Sequence, residues 1–598
     1  MKGLLRSRWL HPALLLVWIA VGAMVRLIDL TTHPLWTDEF STLVFSLGHS
    51  FRTVPLNQVI APETLLQPLV RPAGSVGDVV QHLMTESTHP PLYFVLANLW
   101  MRLFSPQEGL VSLWAARSLP VVFGILAIPA MFSFGWIAFH SRLVGQLAAA
   151  LMAVSPFGVY LAQDARHYTL AVLWGIASMV CFAITLQTLQ QRSQLPLKVT
   201  FTWIAVNALG MATHYFFGLL LIAEGLTLLG SWIWDRRFWR GGFAFRNQKP
   251  EARSQNLSWK RIYWVAAGTL VGSLVWLPAW QSSYNNELTQ WVYSGEATKV
   301  PWLQPIFYTL ASGMTMLTVL PIQQVVKPIP TVSAIVVILF CLWAWWLAGR
   351  GFRTQLQQPG QRWLIQGLAG IIGSAVALLL ILDYGLNSDI TRAFRYSFIY
   401  FPAVIVLIAA GLSPYWGFSQ LSALIPHPPS PIPHPPSPIP HPPSPASPLF
   451  LAVPLIWLLG LIGALTVASG FAYQKTHRPD LVVDLIREKS QAPVVVAIAH
   501  HTHGQTGRLM GLAWELRQPD TNASFYLDHQ TCKLRKDQPC NFPTPQLHET
   551  LKEIPRPFDL WLINYQGIAD LTTEQCDFDN VVKNKRVDGY KSQRYHCP

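Results

Sequence analysis

The sequence predicts a mainly α architecture: a polytopic bundle of transmembrane helices followed by a small extracytoplasmic α/β domain. Three observations lead there. The 598 residues are 51% hydrophobic but only 12% charged, about half the ~25% charge of an ordinary soluble domain. The deficit is uneven, since long apolar runs fill 1–472 while 473–598 alternates strand-like and helix-like patterns. Lys and Arg gather in short loops between apolar runs, the positive-inside pattern. The formal net charge of +13 therefore reflects membrane topology and not a nucleic-acid footprint.

Residues 12–30 open the bundle. Lys2, Arg6 and Arg8 precede this run as they would in a signal peptide, but it outlasts the ~7–15 residues of an h-region and shows no small-residue cleavage site. It reads as a retained helix. Further runs near the ~20 residues of a crossing lie at 113–138, 143–161, 167–188, 199–214, 215–234, 262–280, 331–349, 363–382, 396–413 and 449–472. That makes about 11 spans, or 11–13 if 91–104 and 303–321 also cross. Both are short or broken by polar residues, and both read as interfacial or re-entrant helices on the outer face.

Basic loops set the orientation. Arg236, Arg237, Arg240, Arg246, Lys249, Arg253, Lys260 and Arg261 form the densest cluster, and Arg350, Arg353 and Arg362 mark another cytoplasmic loop. With eleven crossings the N-terminus lies inside a plasma (inner) membrane and the C-terminal segment outside. Segment 31–111, the turn at 163–166 and the loop 383–395 then share the outer face.

Cysteine placement agrees with this. Cys181 and Cys341 lie in apolar runs as packing residues, whereas Cys532, Cys540, Cys576 and Cys597 crowd the tail, as disulfides do in an oxidising compartment. Proximity pairs Cys532 with Cys540 and Cys576 with Cys597. No CxxC pair supports a zinc site. HPPSPIP recurs in tandem over 427–445, so 425–448 reads as an extended, Pro-rich cytoplasmic linker. In the tail, 494–500, 524–529 and 559–565 read as strands and 507–517 as a helix, a small α/β domain. It carries neither a phosphate loop nor a nucleophile elbow, and no chemistry is assigned to it. His500, His501 and His503 read as a solvated strand end in preference to a metal site, and Asn522-Ala523-Ser524 matches a glycosylation sequon by pattern.

Four clusters of chemistry-bearing residues fall on the outer face. Asp38 and Glu39 follow the first span, where a carboxylate can act as general base towards a hydroxyl or hold a divalent cation beside a phosphate. His89 precedes two prolines that permit a helix start; it can contact phosphate, ligate a metal or cap the helix. Asp164, Arg166 and Tyr168, with His167, sit close to hydrocarbon, where unpaired charge costs several kcal/mol. The simplest alternative is an Asp164–Arg166 pair that closes a turn. Arg395 and Tyr396 with Arg392 lie in the last large outer loop, and guanidinium groups there suit bidentate recognition of phosphate. Candidate ligands for a divalent metal are Glu39, His89 and Asp164. Glu224, inside the span 215–234, reads as protonated or paired within the bundle.

In this order the motifs resemble those of large membrane glycosyltransferases with the GT-C fold. The nearest group is the protein O-mannosyltransferase and aminoarabinose transferase group (glycosyltransferase family 39-like). The resemblance rests on Asp38-Glu39, on His89-Pro90-Pro91-Leu92-Tyr93, on Arg117-Ser118-Leu119-Pro120, on Gln163 to Leu170, and on Arg395-Tyr396 with Pro402. It covers roughly residues 10 to 415 and does not reach the tail. ARSLP departs from the family's RLPS, which leaves the subfamily open. The resemblance implies a polyprenyl-phosphate-linked sugar as donor, presented from the outer leaflet, and Asp38 as the base. It also implies transfer to a hydroxyl or amine on a lipid, polysaccharide or protein acceptor, with Arg166, Arg395 or His89 stabilising the departing phosphate. A transporter or flippase of lipid-linked substrates is the rival, but its internal repeats and broken helices at matching positions are not found.

Overall fold

The computed structural model describes residues 9–240, 251–283, 302–357, 359–416, 451–475, 477–517, 522–531, 542–579, 585–587 and 589–598. Lys2, Arg6, Arg8, Arg246, Lys249, the Pro-rich tract and the Cys532–Cys540 pairing fall outside these.

Each predicted run contains helix, with breaks at Ser155 in 143–161 and at 275–276 in 262–280. The bundle comprises α1 (Leu10–Leu27), α6 (Leu113–Phe139), α7 (Arg142–Val154), α8 (Pro156–Ala162), α9 (Tyr168–Gln190), α10 (Leu197–Thr213), α11 (Phe217–Arg240), α12 (Glu251–Leu274), α13 (Leu277–Ser283), α15 (Ile329–Gln355), α16 (Pro359–Leu386), α17 (Phe401–Leu412) and α18 (Ala452–Ala468). Among the described residues five of these are long and apolar enough to cross a membrane unaided, and α7 with α8 makes a sixth, bent by 58°. The chain is thus multi-pass. Its outward side chains fit lipid: Val271, Leu339 and Ile381 are 65%, 62% and 63% exposed, a surface that in water would invite aggregation.

The break between α7 and α8 has a physical solution. Pro156 has no N–H to continue the helix, so the last carbonyls of α7 lose their partners. Arg26 of α1, fully buried, donates from NH1 to the carbonyl of Ala153 and from NH2 to that of Met152, each at 2.9 Å. Ser155 caps α8 by accepting from the Gly158 N–H at 3.3 Å. Deeper in the bundle, Ser178 of α9 donates to the Glu224 carboxyl of α11 at 2.9 Å and accepts from Trp203 Nε1 of α10 at 2.9 Å. Glu224 is therefore paired within the bundle.

The outer layer holds α2 (Thr37–Ser46), α3 (Pro62–Leu66), α4 (Val76–Glu86) and α5 (Leu92–Phe104). The 13 residues of α5 span about 20 Å, too short for a ~30 Å hydrocarbon core. Its buried Tyr93, Phe94, Ala97 and Met101 pack into the outer layer's core. The other ambiguous stretch forms α14 (Gln304–Thr315), which is shorter still.

The tail contributes α19 (Pro479–Lys489), α20 (His503–Leu516) and α21 (Pro545–Glu553) around a seven-stranded sheet. Its strands are β1 (Val59–Ile60), β2 (Val494–His500), β3 (Ala523–His529), β4 (Phe558–Ile563), β5 (Asp577–Phe578), β6 (Lys585–Val587) and β7 (Tyr590–Cys597), in the order β1-β3-β2-β4-β7-β5 with β6 on β7. Central β2 runs parallel to β3 and β4 and is buried at every position, as a two-face-covered strand must be. A disulfide joins Cys576 to Cys597. The edge strand β1 comes from the first outer loop, pairing Val59 with Tyr526 and Ile60 with Phe525. Segments 31–111 and 473–598 consequently share one hydrophobic core, in which Phe40, Leu65 and Phe94 meet Val496, Leu509 and Trp561.

Replacing Arg26 by Met should strand the two carbonyls of α7. At ~1–3 kcal/mol for each buried group left without a partner, the thermal unfolding transition in detergent should fall clearly below wild type. An unchanged transition would mean that these carbonyls find other donors.

Candidate active site

The site forms where the first turn of α2 meets the turn between α8 and α9. Trp36, extended at the N-cap, places Asp38 and Glu39 in the first helical turn, where carboxylates complement the helix dipole. The two side chains then part. Glu39 turns inward and is fully buried. Arg117 of α6 donates to it from Nε at 2.8 Å and from NH2 at 2.7 Å, and the Ala165 N–H donates at 2.9 Å. The same guanidinium reaches the carbonyls of Leu30 and His33 at 2.9 Å and of Pro34 at 3.2 Å. Burial pushes the Glu39 carboxyl up, but Arg117 outweighs it and holds the group well below the usual carboxylate range.

Asp38 turns outward and keeps 32% of its side-chain surface exposed. Its Oδ2 lies 3.7 Å from Arg166 NH2 and 3.7 Å from Arg395 NH2. These are ion-pair distances too long for hydrogen bonds, so the carboxylate keeps lone pairs for an incoming O–H. Burial pushes its pKa up, yet Arg166 and Arg395 prevail and hold it below the ordinary value.

The two arginines are positioned differently. Arg166, buried, donates from NH1 to the carbonyl of Asp38 and to Thr42 Oγ1, both at 3.0 Å, and its NH2 lies 3.1 Å from His89 Nε2. Burial, then Arg166, lower the His89 pKa to about 3. A neutral His89 accepts from Arg166 at Nε2 and presents Nδ1–H to Ser87 Oγ at 3.2 Å, so His89 orients Arg166. Arg395 lies with its Cζ 5.1 Å from the centroid of Trp36 and 5.4 Å from that of Tyr396. Its loop is gathered by Asp383, which accepts from the N–H groups of Ile390 and Thr391 at 2.7 and 3.1 Å.

Four sequence-predicted segments thus converge around Asp38. Tyr168 and Tyr396 line the bundle side, their ring centroids 6.5 Å apart. Asp164 is buried and contacts Lys475 instead of closing a turn with the Arg166 side chain. A divalent cation does not fit the predicted ligands: Arg117 occupies Glu39, Lys475 occupies Asp164 and Arg166 occupies His89 Nε2. Among the described residues no three His, Cys, Asp or Glu side chains converge.

Sequence reasoning missed several neighbours. His214 was not among the candidates; it forms a buried ring pair, 4.5 Å between centroids, with the sequence-named His167 behind Arg166. Tyr160 stacks on Tyr473 at 4.3 Å beside Arg395 and borders a cavity of about 220 Å³ that Gln163, Lys475 and Arg478 also line. His477 Nδ1 lies 2.8 Å from Thr37 Oγ1. The available signal was the crowding of Lys475, His477 and Arg478 immediately after the last span.

No protein-family model and no curated protein matches the sequence. Among solved structures the chain is similar to ArnT from Cupriavidus metallidurans bound to undecaprenyl phosphate, with TM-score 0.46, 12% identity and 98% of each chain covered. The apo state of the same protein gives TM-score 0.47 and 11% identity over 98% of this chain and 97% of that one. An archaeal oligosaccharyltransferase, AglB from Archaeoglobus fulgidus in complex with an inhibitory peptide and a dolichol-phosphate, gives TM-score 0.44 and 11% identity. There 84% of this chain and 64% of that one are covered. The chemical reading rests on the residues of the site.

Removing one partner of the buried Glu39–Arg117 pair, as in Glu39→Gln or Arg117→Gln, should cost ~3–5 kcal/mol and lower the unfolding transition of the purified protein. Asp38→Asn should leave that transition close to wild type. Equal losses in all three variants would contradict the division into a structural and an open carboxylate.

Proposed function

We propose that this chain is an integral membrane glycosyltransferase that moves a sugar from a polyprenyl-phosphate donor to an acceptor hydroxyl or amine on the extracytoplasmic face of the plasma (inner) membrane. The observation that carries the reading is Asp38, an open, ionised carboxylate without hydrogen bonds among the described residues, flanked at 3.7 Å by two arginines. A base and an oxyanion cradle in contact are what transfer from a phosphate-linked sugar requires. The motif resemblance supplies the substrate class.

In the proposed reaction the acceptor oxygen attacks C1 of the sugar as its proton passes to Asp38. The new C1–O bond forms as the bond from C1 to the phosphate oxygen breaks, and inversion follows from in-line attack. The lipid phosphate leaves with growing negative charge, which Arg166 and Arg395 receive. Preorganised charge of this kind is often the largest catalytic contribution. Tyr168 and Tyr396 flank the sugar and the phosphate. Before the donor binds, the arginines depress the basicity of Asp38; once phosphate shares them, that restraint falls and Asp38 becomes a better proton acceptor.

Transfer from a panel of polyprenyl-phosphate sugars tests this, with wild type and Asp38→Asn compared in detergent. Wild type should transfer at least one sugar, and Asp38→Asn should lose at least 100-fold, in line with general-base catalysis worth ~10²–10⁴. Full activity in Asp38→Asn would remove it as the base.

The pH dependence carries a sign. A lowered carboxyl pKa leaves Asp38 ionised at neutral pH, so kcat/KM should stay flat as pH falls and decline only below the ordinary carboxylate value of about 4. The acid limb of kcat, which reports the donor-bound state, should lie at higher pH than that of kcat/KM. Coincident limbs would mean that phosphate does not relieve Asp38.

A further inference from the structure

The C-terminal domain reaches the base. Gly507 of α20 packs on the residue before Asp38: a Cβ built there would meet Thr37 Cγ2 at 3.4 Å. On the other side His477 is bonded to Thr37 Oγ1, and its ring is backed by Gly589. A Cβ at Gly589 would meet His477 Cδ2 at 2.1 Å, and the backbone φ there is +84°, so glycine is required on both counts. His503, at the start of α20, stacks on Phe51 with ring centroids 5.0 Å apart.

Arg508 is next in chain to Gly507. Its backbone carbonyl accepts from Tyr590 Oη at 3.1 Å, which fixes the helix turn that carries it. Its guanidinium is half-buried and lies within electrostatic range of Asp38 and His477. Among the described residues it makes no hydrogen bond or ion pair. Burial disfavours its charge and Asp38 offsets this only in part, because that one carboxylate is already shared by Arg166 and Arg395, so an added anion would be favourable there.

We propose that Arg508, beside His477, is the acceptor-side oxyanion subsite: it binds a phosphate or carboxylate group carried by the acceptor and so brings the acceptor's nucleophile to Asp38. The assignment to the acceptor rests on the glycosyltransferase reading above and on geometry. In-line displacement puts nucleophile and leaving phosphate on opposite faces of C1. Arg166 and Arg395 come from the bundle, the side a lipid-borne phosphate reaches. Arg508 comes from the soluble domain, the side open to an acceptor arriving through water.

The full chain in lipid nanodiscs tests this. Undecaprenyl phosphate is titrated first; inorganic phosphate is then titrated at saturating undecaprenyl phosphate, both followed by calorimetry. Arg508→Gln should weaken inorganic phosphate at least tenfold, Arg508→Lys should stay within threefold of wild type, and undecaprenyl phosphate should bind Arg508→Gln within twofold of wild type. Unchanged phosphate affinity in Arg508→Gln, or no phosphate binding by wild type, would overturn the subsite. An equal loss for undecaprenyl phosphate would assign Arg508 to the donor. Arg508-dependent phosphate binding by a wild type that ignores undecaprenyl phosphate would overturn the lipid-donor reading and leave the oxyanion subsite standing.

Discussion

The buried pair of Glu39 and Arg117 is the constraint on which the site depends. One guanidinium ties the end of α1, through the carbonyls of Leu30, His33 and Pro34, to the first turn of α2. One carboxylate ties that turn to the backbone of Ala165 in the α8–α9 connection. Both charges have left water, which is tolerable only because nearly every donor and lone pair they present is used. The consequence for Asp38 is direct. Adjacent residues in a helix point about 100° apart, so locking Glu39 into the protein forces Asp38 towards the opening, beside the arginine that follows Ala165. The adjacent acidic residues thus divide into one that holds and one that is held out.

Much of this was legible in the sequence, for identifiable reasons. Apolar runs have one cheap solution in a bilayer, so each predicted run contains helix. The tail strand at 494–500 was legible because a buried parallel strand reads as a near-continuous apolar run. The convergence of Asp38, His89, Arg166 and Arg395 followed from topology alone: basic loops assigned one face, and the ionisable groups on the other face had to find one another.

What was not legible is contact between segments far apart in the chain. Arg26 lies in an apolar run and would ordinarily be read as a snorkelling end residue. It is needed inside because Pro156, some 130 residues later, leaves carbonyls bare. Asp164 looks in sequence like the partner of Arg166 two residues on; the fold gives it Lys475 instead, and His89 takes its place on Arg166. The two-residue strand β1 carries no alternation to detect, yet it stitches the first outer loop onto the tail's sheet. A sequence division at 472/473 therefore follows the exit from the bundle but cuts across a shared core.

That shared core explains how a soluble domain without a catalytic motif of its own can stand over the open Asp38 carboxylate. Asp38 sits on a helix whose inner face is bundle and whose upper face is tail. Phe40 meets Trp514 at 6.5 Å, and Phe45 meets His503 at 5.7 Å. The apolar residues that follow Asp38 are what dock α20, and docking α20 is what brings Arg508 within range. Electrostatics then runs in one direction. Positive charge from three separate elements surrounds a single open carboxylate, an arrangement costly in isolation that becomes favourable when anionic ligands enter. Such a site suits anionic ligands, and in the proposed reaction Asp38 is the stronger proton acceptor when they are present.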